Sequence, residues 1–240
     1  MDNQQNLPSE TEKPAVRSPL GSVDFILSHT QQRQMIGGLG IIFPFTIIIL
    51  GKLIFGTELQ ISLSHYYHTG VRDIYVGILF LIGTFLIFYR GYQDVNYDGR
   101  WSTIAGFCAI GTALFPTTVE AKPSLQTEII GIIHFVFAFS FLAILGLFVL
   151  VYFRRSVGDA CAEKKRRNRV YTLCGWSVFV SLALIISIFF LPLSMQHAVT
   201  KFKPVLILET IAIVAFGFAW LVKGEWLFTQ YLGLLEKKNS

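Results

Sequence analysis

Long apolar runs separated by short polar stretches dominate the chain. The runs fall at 35–55, 73–89, 102–116, 129–152, 171–192 and 204–222. A helix needs about 20 apolar residues to cross a hydrocarbon core about 30 Å thick. Five runs have about that length, and the third is the shortest. In lipid, only helices and closed barrels satisfy all the hydrogen bonds of their backbone. The alternation of apolar and polar residues that is typical of barrel strands is not seen. The pattern predicts an all-α polytopic membrane protein, a six-transmembrane-helix bundle.

The segments outside these runs are polar. Residues 1–34 contain prolines but lack the apolar centre of a secretory signal peptide. We expect a flexible cytoplasmic tail over 1–34, a six-helix transmembrane domain over 35–223, and a second cytoplasmic tail over 224–240.

Composition agrees with a membrane protein. Apolar residues make up 53% of the 240 positions and charged residues 15%, whereas soluble domains carry about 25% charged residues. The net charge of +5 comes mostly from basic residues beside the runs. We therefore expect the lipid bilayer as a partner and no nucleic acid.

The basic residues predict the orientation. Of the 20 lysines and arginines, 15 lie in four segments that would share one side of the membrane: 1–34, 90–101, 153–170 and 222–240. Short loops rich in Lys and Arg stay in the cytoplasm. Both termini are therefore predicted to be cytoplasmic.

Two ionisable residues lie inside the predicted spans. His134 and Glu209 each sit about five residues, or about 8 Å, from the exoplasmic end of a span. Such groups face the bundle interior or a water-filled cavity. The stretch SLSHYYHTGVRD, residues 62–73, adds polar side chains at the same level. We predict a pocket in the exoplasmic leaflet for a lipid or small ligand, lined by Ser64, His68, Arg72, Asp73, His134 and Glu209.

Other interpretations of these polar residues stay open. Arg72 and Asp73 could form an interfacial ion pair in a first helical turn. Zinc would need three or four ligands in a tetrahedral arrangement, and the histidines that could contribute are His65, His68 and His134. The cysteines have no metal-binding spacing, so we expect no cofactor, with zinc as the alternative.

Ser64-x-x-x-His68 followed by Asp73 resembles part of the motif of alkaline ceramidase-type membrane hydrolases. That superfamily also has a late His-x-x-x-His and seven helices, whereas this sequence lacks the late motif and has six runs. The resemblance implies a metal-dependent hydrolase of membrane lipids as an alternative function.

A second resemblance covers about residues 35–223. Its features are Ile61, Ser62 and Ser64, then His134 in GIIHFVFAFSF, then Glu209 and Trp220 in LETIAIVAFGFAW. These are similar to a family of uncharacterised bacterial six-helix membrane proteins, a domain of unknown function, and distantly to the autophagy-modulator six-helix family of eukaryotes. The resemblance implies the fold, a bacterial inner (plasma) membrane location and the importance of His134 and Glu209.

The sequence leaves several functions open. The protein could bind a ligand without catalysis, hydrolyse a lipid, or transport a solute with His134 and Glu209 as a protonation pair. The same two residues could also bond each other and join the fourth span to the sixth. The sequence does not distinguish an enzyme from a binding protein, and it does not indicate the oligomeric state.

Overall fold

The computed structural model describes residues 29–89, 97–119, 122–155 and 162–225. Within these ranges the chain is helical and contains no strand, so the all-α prediction is confirmed. The elements, in chain order, are α1 (His29–Phe55), a 3₁₀ helix (Ser64–His68), α2 (Arg72–Ile87), α3 (Tyr97–Leu114), α4 (Leu125–Leu147), a π-helical turn (Phe148–Tyr152), α5 (Ala162–Phe189), α6 (Leu193–Thr200) and α7 (Pro204–Lys223).

Each predicted apolar run coincides with a helix, but the helices differ in length. In the described residues, four helices are long and apolar enough to cross a membrane: α1, α4 with its π-helical turn, α5 and α7. Helix α2 has 16 residues, and α3 has 18 with a polar first turn. The four long helices support a membrane protein.

Several helix ends differ from the predicted ones. Helix α1 begins at His29, so residues 29–34 of the predicted tail are helical. Helix α5 begins at Ala162, nine residues before its apolar run. Apolar runs mark the lipid-compatible part of a helix, whereas Gln, Glu, Lys and Arg extend helices well into polar sequence. The rest of the two predicted tails, 1–28 and 226–240, lies outside the described residues.

The helices pack as a ring. Around it, α1 contacts α2, α2 contacts α3, α3 contacts α4, α4 contacts α5, α5 contacts α7, and α7 returns to α1. Helices α4 and α7 also touch lightly across the ring. The 3₁₀ helix and α6 lie at the end of the bundle where α1 finishes and α2 starts.

Two pairs of glycines bring helices of the ring close together. A Cβ on Gly37 of α1 would come within 2.7 Å of the Gly217 carbonyl oxygen of α7. A Cβ on Gly106 of α3 would come within 2.5 Å of the Gly83 carbonyl oxygen of α2. Small residues allow this approach in membrane helices.

An aromatic cluster fills the end of the bundle opposite the 3₁₀ helix. We define it as Tyr89, Phe148, Phe153, Phe216 and Trp220. The ring of Trp220 is fully buried, and its centre lies 4.9 Å from that of Tyr89 and 5.2 Å from that of Phe153. Ring packing therefore contributes to holding this end, together with hydrogen bonds such as that from Arg33 Nε to Tyr89 Oη at 3.2 Å.

Candidate functional site

The connection between α1 and α2 folds inward over one end of the ring. Gly56 follows the last residue of α1 with a φ of +61°, in the left-handed region that ends many helices. Ser62, Leu63, Ser64 and Tyr66 are then buried. We call residues 61–65 the inner segment, because its backbone and side chains bond to α4 and α7.

His134 of α4 binds Ser64 of the inner segment. Its Nδ1 lies 2.7 Å from the carbonyl oxygen of Phe115, and its Nε2 lies 2.9 Å from Ser64 Oγ. A carbonyl can only accept, so Nδ1 carries the hydrogen of the neutral ring. Nε2 is then the acceptor, and the Ser64 hydroxyl donates to it.

Helix α7 joins the same segment. The Leu63 N–H donates to Glu209 Oε2 at 2.6 Å, and the Leu206 N–H donates to the Ile61 carbonyl at 3.1 Å. Glu209 and His134 therefore bind neighbouring residues, Leu63 and Ser64. The partners of the two ionisable residues are thus in the inner segment, and the predicted direct bond between them is replaced by these contacts.

A second serine–histidine pair lies within the segment itself. Ser62 Oγ is 2.7 Å from His65 Nδ1, and it accepts the His65 backbone N–H at 3.2 Å. Burial lowers the pKa of His65 to about 4, and the nearby His68 and His134 act in the same direction. His65 is therefore neutral near pH 7.

The remaining predicted residues lie elsewhere. His68 is exposed, and its Nε2 donates to the Thr117 carbonyl at 2.7 Å. Arg72 and Asp73 form an exposed ion pair of 3.3 Å in the first turn of α2. These three residues line a separate polar depression on the surface. The structure thus brings Ser64, His134 and Glu209 together and leaves His68, Arg72 and Asp73 outside that group.

A cavity of about 710 Å³ lies between α4, α5 and α7, beside α6. Its polar residues include Ser62, Ser64, His65, His134 and Glu209. Its apolar walls include Ile132, Phe139 and Leu142 of α4, and Leu182, Ile185 and Phe189 of α5. The cavity therefore has a polar end at the inner segment and apolar walls along α4 and α5.

The three histidines proposed for zinc do not form one site. In the described part of the chain, no group of three His, Cys, Asp or Glu side chains is placed to hold a metal ion. His65, His68 and His134 each bind a different oxygen of the protein. Cys108 and Cys174 are free and buried, and Cys161 lies outside the described residues.

Two groups near the site were not predicted from the sequence. The Tyr75 side chain is buried close to Ser64. Its position in the first turn of α2, two residues after Asp73, was the signal that the sequence offered. The Phe115 carbonyl that orients His134 is a backbone group, so no residue type marks it.

Comparison with known proteins finds no matching family model, curated protein or solved structure. The resemblances noted in the sequence therefore stay predictions. The chemistry of the site is inferred from its own geometry.

Proposed function

We propose that this chain is an integral membrane protein with six transmembrane helices that binds a single-chain lipid or a similar small amphiphile. The observation that carries this proposal is the cavity between α4, α5 and α7. Its volume of about 710 Å³ lies within the range of about 300 to 1,000 Å³ of small-molecule sites. Apolar walls with polar groups at one end suit an alkyl chain with a polar head.

Six spans are supported by the ring arrangement. Helices α2 and α3 pack between α1 and α4, which are long enough to cross. With 16 and 18 residues, α2 and α3 are about 24 and 27 Å long. A bilayer adapts to helices a few ångströms shorter than its core by thinning locally. We infer that α2 and α3 cross the membrane, as the longer helices α1 and α4 beside them do.

The charge distribution supports an orientation. Most Lys and Arg residues in the described part of the chain lie near the end of the bundle that carries the aromatic cluster, and positive loops favour the cytoplasm. With both termini there, the cavity opens in the exoplasmic leaflet. The resemblance to bacterial six-helix proteins favours a bacterial inner membrane.

The cavity residues suggest how a lipid would bind. From His134 to Leu142 the wall extends eight residues along α4, about 12 Å. Each buried methylene contributes about 0.8 kcal/mol to binding. At the polar end, serine hydroxyls can donate while the Glu209 carboxylate and imidazole nitrogens can accept. A head group with hydroxyls matches these groups.

Photocrosslinking tests the proposal. A monoacylglycerol with a diazirine in its chain would be irradiated with the purified full chain in nanodiscs, and the adducts mapped by mass spectrometry. We expect adducts on the cavity walls of α4 and α5, because those walls contact the chain.

A cavity-filling variant gives the control. Ala138 lines the cavity, so Ala138→Phe should reduce these adducts by about tenfold or more, as filling removes the space for several methylenes. Ile129 on the same helix is exposed and does not line the cavity. Ile129→Phe should therefore leave crosslinking unchanged. Equal crosslinking in both variants would contradict binding in the cavity.

Metal-dependent lipid hydrolysis and proton-coupled transport stay alternative predictions from the sequence. Metal content measured by mass spectrometry on the purified protein, beside His68→Ala and His134→Ala, tests the first. Proton uptake into proteoliposomes tests the second.

A further inference from the structure

Ser64 and His134 have the arrangement of a nucleophile with its base. We propose that Ser64, activated by His134, attacks the ester of a single-chain lipid held in the cavity and makes the protein an acyl-ester hydrolase that needs no metal. This inference rests on the proposed lipid binding and assigns a reaction to the same cavity.

The hydrogen-bond directions fit this role. The Ser64 Oγ–His134 Nε2 distance of 2.9 Å lies within the range of about 2.6 to 3.2 Å for a nucleophile and its base. Because Nδ1 donates to the Phe115 carbonyl at 2.7 Å, Nε2 faces Ser64 as the unprotonated nitrogen. The Phe115 carbonyl thus orients His134, as the carboxylate of the catalytic triad orients the histidine base in serine hydrolases.

The pair lies where a lipid ester would lie. Ser64 and His134 both line the polar end of the cavity, and they are only 9% and 2% exposed. A chain along the apolar walls of α4 and α5 would leave its ester beside Ser64. The site is therefore desolvated, which strengthens the interactions that stabilise developing charge.

The reaction has two balanced steps. Ser64 Oγ forms a bond to the ester carbonyl carbon while its proton passes to His134 Nε2. The bond from that carbon to the alcohol oxygen then breaks, and His134 protonates the leaving alcohol. Water then attacks the acyl carbon while His134 Nε2 accepts its proton. The bond from that carbon to Ser64 Oγ breaks, His134 returns the proton to Ser64 Oγ, and the fatty acid leaves.

The second pair, Ser62 and His65, provides a matched control. Ser62 Oγ accepts the backbone N–H of His65, three residues along the chain, as well as contacting its ring. This is a local turn contact within one segment, whereas Ser64 and His134 are brought together from residues 70 positions apart. Both serines line the cavity, so a probe that enters it meets both.

A long-chain alkyl fluorophosphonate tests the proposal on the full chain in nanodiscs. An activated serine displaces fluoride and keeps the phosphonate, which mass spectrometry locates directly on the wild-type protein. We expect the label on Ser64. Ser64→Ala should lose the label, and His134→Gln should slow labelling by about 100-fold or more. Ser62→Ala removes a cavity hydroxyl but leaves the base in place, so its label should still lie on Ser64.

The outcomes separate this proposal from lipid binding. If the wild-type protein still crosslinks the diazirine lipid but carries no label on Ser64, the role of Ser64 as nucleophile is overturned and lipid binding stands. Label on Ser64 at the same rate in His134→Gln would overturn the role of His134. Label on Ser64 that is lost in Ala138→Phe and kept in Ile129→Phe supports both proposals. Since the wild-type map identifies the labelled serine, the test does not depend on Ser64→Ala folding.

Discussion

The two ends of the bundle are held together in different ways. At one end the aromatic cluster packs around Trp220, whose indole N–H has no hydrogen-bond partner among the described residues. At the other end the inner segment bonds to α4 through Ser64 and to α7 through Leu63. Hydrogen bonds also lie at the first end, such as that from Arg33 Nε to Tyr89 Oη at 3.2 Å, but large buried rings occupy its centre, whereas buried hydrogen bonds occupy the centre of the second.

This difference explains where the cavity lies. Large rings fill the space between the helices at the aromatic end, where the side chains of Phe148, Phe216 and Trp220 are fully buried. Hydrogen bonds at the inner segment join backbone and small side chains without filling the ring, and the space beside them stays open. The polar end can therefore carry a ligand, while the aromatic end supplies stability.

The largest effect is expected from emptying the aromatic cluster. Trp220→Ala should lower the free energy of unfolding by about 3 to 5 kcal/mol, because it removes a fully buried ring. Thermal unfolding in detergent measures the change. Far-ultraviolet circular dichroism monitors it, because that signal reports helix content and does not depend on the removed tryptophan. Phe218→Ala, at a 40% exposed position of α7, is the control and should have a much smaller effect. An equal loss of stability in the two variants would contradict a stabilising role for the buried aromatic cluster.

A smaller effect is expected from removing one bond at the polar end. Glu209→Leu should cost about 1 to 3 kcal/mol, because it leaves the buried Leu63 N–H without its acceptor. Glu209→Gln keeps an acceptor oxygen and should stay close to wild type in the same unfolding measurement. If the two variants were equally destabilised, the loss would come from charge or shape and not from this hydrogen bond.

The smallest effect concerns pH at the inner segment. The pKa of His65 is about 4 in the folded protein and about 6.5 in an unfolded chain. Between these values the unfolded state binds more protons, so stability falls as pH falls from about 6.5 to 4 and is unaffected above that range. We expect a loss of about 1 to 2 kcal/mol after allowing for solvent screening of this partly exposed ring.

Unfolding curves measured across that range check the pH effect. His65→Asn removes the titrating ring and should flatten the dependence between pH 6.5 and 4. His197→Asn replaces another histidine, on α6, and should leave the slope as in wild type. A slope that persists in His65→Asn would assign the titration to another group.

The sequence predicted the helices and the three central site residues, Ser64, His134 and Glu209, and for the helices and the last two residues the reason is physical. The length of an apolar run is a local property, so each run could be matched to a helix. His134 and Glu209 could be predicted to face inward because an ionisable group facing lipid is costly. Both predictions depend on the residue type and its depth alone.

The rest of the site depends on tertiary structure. The inward fold of the α1–α2 connection determines which residues His134 and Glu209 bind, because it places Leu63 and Ser64 between them. Arg72 and Asp73 are near this segment in sequence, but the first turn of α2 exposes their side chains. Neighbouring positions in a polar stretch thus differ in environment, since Leu63 and Ser64 are buried and Arg72 and Asp73 are exposed, and no periodic pattern distinguishes them.

The short inner segment has a mechanical consequence. Its residues are tied to α7 at Ile61 and Leu63 and to α4 at Ser64, and three residues beyond its end His68 is tied to the 115–118 stretch. These attachments lie within eight consecutive residues, 61–68, so displacing the segment would break several of them together. The segment therefore links the positions of α4 and α7 through one short stretch of chain.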